Sequence, residues 1–213
     1  MPDQTLGRGF SQDAWIQYHD GSIENALGLT SDGIITMAIG LTDAELSGFR
    51  GWAITDIHFG CGWSTNYAIP YELWIVPNAL PADPYSITYV STGTTVMTIW
   101  QEISDLDYTI PATGDVYVGI NYQQTAGQYP CSMDEDTTTP TRGGYLTYQG
   151  LGSWTDLGAV GFPGVWGISV GVTEGGGPGP GPEECLPDQC DFELVSINNI
   201  QPGPINSLPR IIN

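Results

Sequence analysis

The chain has 213 residues, 24 of them acidic against four arginines and no lysine, for a formal charge of −20. Such a surplus repels phosphate backbones and anionic lipid, which argues against nucleic-acid and membrane-surface partners, and no run of 18 apolar residues offers a membrane insertion. Charged residues are only 13% of the chain, so polarity comes mainly from Thr, Ser, Gln, Asn and Gly, a profile common in extracellular β proteins.

The first residues, MPDQTLGRGF, lack the basic-then-apolar start of a signal peptide; a secreted protein would carry this chain as a mature form or an excised piece. Residues 1–13 form a lead-in. Short alternating runs bounded by Gly, Pro, Asp and Thr then predict strands at 14–19, 34–40, 52–60, 69–76, 85–91, 96–103, 115–123, 144–149, 153–157 and 164–172. Within 115–123, Val116, Val118, Ile120 and Tyr122 share one face, and Tyr117, Gly119 and Asn121 the other. Strands of this kind are expected to bury one face only, so the fold class is all-β: antiparallel sheets packed as a sandwich. One helical signal interrupts them. Thr42 and Glu45 have the spacing of a capping box, and Gly48 or Gly51 supplies a stop, which predicts a short helix of two turns at most. There is no βαβ alternation and hence no parallel sheet.

The sandwich is expected to occupy 14–173. The Gly/Pro-rich stretch 174–184 has almost nothing to bury and favours an extended linker of about 3 Å per residue. Beyond it, 185–213 alternates again, as the start of a further β domain or as a strand exchanged with a neighbouring molecule's sheet edge. Four cysteines, Cys61, Cys131, Cys185 and Cys190, allow three full pairings. Cys185 and Cys190 bracket a loop short enough for a local bridge, and Cys61 and Cys131 each end a strand-like run. Two disulfides, and with them an oxidising compartment, are the expectation. Four free thiols or a zinc site are the alternatives.

The segment WIQYHDGSIENALGLTSDGIITMAIGLTDAELSGFRGWAITDIHF, with YELWIV (71–76), VYVGINYQQTAGQYPCSMDED (116–136), GSW (152–154) and VWGISVGV (165–172), resembles a β-sandwich module of secreted Bacteroidetes and archaeal proteins. Such modules stand beside secreted peptidases, adhesin regions and Ig-like repeats. The resemblance covers about residues 14 to 173. It implies a jelly-roll-like sandwich related to carbohydrate-binding and adhesin domains, non-catalytic and often holding a structural calcium ion. The closing Arg typical of such modules is absent, with Gly167 and Ser169 flanking Ile168.

The densest acidic cluster lies in the expected loop 131–144, where Asp134, Glu135 and Asp136 offer carboxylate oxygens to calcium, joined by Asp20 if its turn lies nearby. Among the aromatic residues, Trp63, Tyr67 and Trp154 are the candidates for stacking on sugar rings, with Tyr71 and Tyr148 beside them. Trp15, Trp52, Trp74, Trp100 and Trp166 are expected in the core. His19 and His58 lie in strand runs and no G-x-S-x-G elbow exists, so no enzyme is expected. The sequence therefore points to a non-catalytic extracellular module, secreted or on the cell surface, with an adhesive, glycan-binding or spacer role. Its partners would be neighbouring domains and glycans. The alternative is a filament subunit joined by donation of the C-terminal strand.

Overall fold

The computed structural model describes residues 13–62, 68–96, 99–135 and 141–175. The expectations placed on Trp63, Tyr67, Asp136, Cys185 and Cys190, on the linker beyond Gly175 and on the terminal segment lie outside the described residues.

In chain order the strands are β1 (Asp13–Gln17), β2 (Asn25–Leu27), β3 (Gly33–Leu41), β4 (Ala53–Gly60), β5 (Pro70–Pro77), β6 (Ser91–Thr94) and β7 (Trp100–Ile103), followed by β8 (Tyr108–Thr109), β9 (Val116–Gln124), β10 (Cys131–Asp134), β11 (Tyr145–Tyr148), β12 (Thr155–Asp156), β13 (Val165–Trp166) and β14 (Ile168–Thr173). One sheet runs β1-β14-β4-β7 with β8 also on β4, and a second runs β12-β11-β3-β9-β5-β6. A small third sheet, β13-β10-β2, lies beside them. The ladders are antiparallel throughout. Chain neighbours such as β3 and β4, or β4 and β5, fall in different sheets, the crossing pattern of a jelly roll.

The core fills the space between the two large sheets. Met37, Ile39, Leu41, Leu73, Val116, Val118, Ile120 and Tyr122 face Ile54, Ile57, Phe59, Ile168, Val170 and Val172, all essentially fully buried. Phe59 meets Tyr71 and Tyr122 edge-on, at 5.2 and 6.2 Å, a favoured aromatic geometry. At one end Thr42 and Glu45 close the predicted capping box: Thr42 N–H donates to Glu45 Oε2 (2.7 Å) and Glu45 N–H to Thr42 Oγ1 (3.3 Å). One turn follows, ending in a 3-10 segment, Ser47–Phe49, and the chain leaves through Gly51 at φ 79°.

Five local expectations change. The run 85–91 is strand only at Ser91, because Asp83 turns the chain by accepting from Tyr85 N–H (2.9 Å) and Ser86 Oγ (2.7 Å). The run 164–172 divides at Gly167, whose carbonyl accepts from Gly60 N–H (2.7 Å) while its N–H donates to Ser132 (3.0 Å). One residue thus hands the chain from the small sheet to a large one. The expected acidic loop begins as β10, whose Cys131–Asp134 are all buried. Finally, β3 and β9 are buried on both faces through most of their length, whereas Trp15, expected in the core, is 48% exposed.

Candidate functional site

The second face of the six-stranded sheet explains that double burial. The registers align Thr147, Thr36, Asn121, Glu72 and Thr92 in one polar row across β11, β3, β9, β5 and β6. At its centre the Asn121 carboxamide is 1% exposed. Its Oδ1 accepts from Thr36 Oγ1 (2.8 Å) and Trp74 Nε1 (3.1 Å), and its Nδ2 donates to the Pro84 carbonyl (2.9 Å). The loop between β5 and β6 is thereby tied down over the sheet. Trp74 lies across Gly119, where any Cβ would enter its ring, and Trp154 packs edge-on against Trp74 at 6.0 Å while donating Nε1–H to the Pro81 carbonyl (2.7 Å).

Beside this cover the face stays open. Gln149, Ile34, Gln123 and Pro70 form the next row, and three adjoining depressions of about 580, 450 and 300 Å³ meet at Gln149. Their walls carry the amides of Gln123 and Gln149, the carboxylates of Asp32 and Asp83, and the rings of Tyr85, Tyr148 and Trp154. Among the described residues none of the lining side chains is cationic. Asp83 is held below the usual carboxylate range by its bonds from Ser86 and Tyr85, and Asp32 accepts from Ala126 N–H (2.8 Å). Burial pushes Tyr85 up, tempered by Thr36 and Thr147. Tyr89 is pushed up to about 12, first by desolvation and then by Glu72. The groove is therefore a set of amide donors, carboxylate acceptors and ring faces.

Of the residues singled out in the sequence, Trp154 and Tyr148 line this groove together, whereas Tyr71 packs against the core. The acidic candidates lie elsewhere. Asp20 and Asp134 do meet, through Asp20 N–H donating to Asp134 Oδ2 (2.9 Å). However, Asp20 Oδ1 accepts from Ser22 N–H and Oγ (2.8 and 2.6 Å), and Glu135 Oε1 accepts from Asn25 Nδ2 (2.6 Å). Among the described residues no three His, Cys, Asp or Glu side chains gather where they would hold a metal ion, and Asp136, the remaining member of the candidate calcium set, lies outside them. Asp134 is wholly buried and serves as a backbone cap. Cys61 and Cys131 stand opposite each other and are not bonded in this structure.

Two features escaped the sequence reading. Trp15 lies on the outside of the other large sheet, over Gly171, with the His58 ring 4.4 Å away and Glu102 3.6 Å from His58 Nε2. Gly171 was the available clue, since a glycine opposite a tryptophan on a sheet face leaves a bed for the ring. The second is a histidine–serine pair: His19 Nε2 lies 2.8 Å from Ser169 Oγ. Its polarity is the reverse of a catalytic dyad. Gly21 N–H donates to His19 Nδ1 (3.1 Å), which fixes the proton on Nε2, and Ser169 in turn donates to Gln17 Oε1 (3.0 Å). A nucleophile's base must accept at the nitrogen facing the hydroxyl, and here that nitrogen donates.

No family model and no curated protein sequence matches the chain. Among solved structures, the chain is similar to a clostridial cysteine protease, Cwp84, after propeptide cleavage, with a TM-score of 0.56 and 13% identity over 75% of this chain and 40% of that one. A structure of the cysteine protease and lectin-like domains of Cwp84, a surface layer associated protein of Clostridium difficile, aligns with a TM-score of 0.49 and 15% identity over 66% of this chain and 32% of that one. The chain thus spans less than half the length of the solved chains it matches. The likeness is one of fold and agrees with the antiparallel sandwich. It does not extend to the Bacteroidetes and archaeal modules named from the sequence, for which the comparisons give no support.

Proposed function

We propose that the chain is a non-catalytic module of an extracellular or cell-surface protein, and that it holds neutral glycans in the groove centred on Gln149. The observation that carries the reading is the groove's lining, in which amides, ionised carboxylates and the exposed Tyr148 ring stand together without a cation. Sugar hydroxyls pair with amide and carboxylate groups while a pyranose face covers an aromatic ring. Phosphate or sulfate groups would meet repulsion from Asp32 and Asp83. The reversed His19–Ser169 pair and the ionised state of Asp83 support a binding role over a catalytic one. The acidic, lysine-free composition and the fold shared with part of Cwp84 support the placement outside the cell. Neighbouring domains of a longer polypeptide would be its structural partners.

The test is binding to an array of neutral oligosaccharides, followed by affinity electrophoresis of Tyr148→Ala and Gln149→Ala. Both side chains are exposed, so the fold tolerates their loss. Each substitution is expected to weaken binding about tenfold, the scale of one ring contact or one hydrogen bond, with no effect of a chelator. Retention of full affinity by both variants would place the ligand elsewhere.

A further inference from the structure

Cys61 follows β4, in one large sheet, and Cys131 opens β10, in the small one. An isolated antiparallel bridge sets the two residues directly opposite each other. The flanking bond from Gly62 N–H to the Pro130 carbonyl (3.1 Å) identifies the pair as the close, non-hydrogen-bonded kind. Opposing Cα atoms in such a pair lie about 4.5 Å apart with their side chains on the same side, within the range a disulfide spans. Glycines on either side of Cys61 permit the approach: a Cβ on Gly60 would stand 2.6 Å from Ser132 Cβ, and one on Gly62 would strike the Tyr129 carbonyl and stand 2.6 Å from Ala26 Cβ. Cys61 N–H also donates to the Ile99 carbonyl (2.6 Å), which holds the register from the other side.

We propose that Cys61 and Cys131 join as a cross-strand disulfide in the mature protein, a covalent tie between the five-stranded and three-stranded sheets. The bond forms by thiol–disulfide exchange. One cysteine thiolate attacks a sulfur of an external disulfide, such as oxidised glutathione or a dithiol oxidase, and expels one thiolate. The second cysteine then attacks the mixed disulfide and expels the other. The two cysteines lose two protons and two electrons in all, and the external disulfide is reduced to two thiols. In the folded body the two residues are 7% and 0% exposed, and burial pushes both thiols up. Exchange therefore belongs to the open chain, and folding then shields the bond from reductant.

The sequence supplies its own assay. With no lysine, and with arginines at Arg8, Arg50, Arg142 and Arg210, trypsin leaves Cys61 and Cys131 in one peptide, 51–142, and Cys185 and Cys190 in another, 143–210. The full chain is refolded in a glutathione redox buffer, alkylated in denaturant, digested and weighed. Peptide 51–142 is expected alone, two hydrogens lighter than its reduced form and without an alkyl group. Alkylation of Cys61 or Cys131, or covalent attachment of 51–142 to any other peptide, overturns the pairing.

Discussion

At His19 the hydrogen bonds choose the protonation state. Nδ1 accepts from Gly21 N–H and Nε2–H donates to Ser169, so a second proton can enter only by breaking the Gly21 bond. Burial lowers the histidine's pKa from its ordinary 6.5, with the charges of Asp134 and Asp20 pulling the other way; the Trp100 ring, 5.0 Å away, is neutral. The unfolded chain therefore takes the proton first. The contribution of neutral His19 is complete above the unfolded pKa and is lost as pH falls through the lower folded value. Melting temperature should drop between pH 7 and pH 5, and drop less in His19→Gln, as followed by circular dichroism. Asp20, Glu45 and Asp83 are also depressed, which moves them further below the ordinary carboxylate range and away from the histidine's, so the two windows separate. Equal slopes for the two proteins between pH 7 and pH 5 would remove His19 from the account. None of this wiring is visible in the sequence, where His19 and Ser169 stand 150 residues apart.

Among the elements, the loop from 78 to 90 and the sheet beneath it depend on one carboxamide. Leucine in place of Asn121 would leave the Trp74 N–H, the Thr36 hydroxyl and the Pro84 carbonyl without their partner in a water-poor site. Buried polar groups orphaned in this way cost about 1–3 kcal/mol each before relaxation. Asn121→Leu should lose roughly 3 kcal/mol in urea unfolding and open the loop to proteolysis at native temperature. An unchanged midpoint would mean that Pro84 and Trp74 are held by packing alone. The long strands were legible because alternation is the direct imprint of a sheet with a core on one side. The same imprint misleads at 85–90. There Tyr85, Ile87 and Tyr89 are partly buried while Ser86, Thr88 and Val90 are exposed, yet ladder bonding begins only when Val90 N–H reaches the Leu73 carbonyl (2.8 Å). A cover segment and a strand share that period, and only a hydrogen-bonding partner distinguishes them. Strands β2, β8 and β10, two to four residues long, are too short to show a period at all.

For the whole molecule, the sequence announced the sandwich but not the site, because the groove is made by strand order. Thr36, Glu72, Asn121 and Thr147 reach one row from four separate strands, and nothing in their spacing announces it. Covalent order follows the same logic: Cys61 and Cys131 are distant in the chain and adjacent only because β4 and β10 meet. In the chain-entropy description a bond closing a loop of about 70 residues restricts the unfolded state by about 4 kcal/mol, which for a body of this size corresponds to about 10 °C in melting temperature. The comparison requires Cys185→Ser and Cys190→Ser, so that only one pair can respond, with one sample refolded oxidised and the other under reductant. The oxidised form should melt higher by that amount with an unchanged β-sheet spectrum. Because the unfolded chain carries a formal charge of −20 and repels itself, the difference should grow at low salt, where the open chain expands and the closed loop holds its unfolded state back from that expansion. A reduced form that melts at the same temperature would show that the two thiols are packed side by side without being joined.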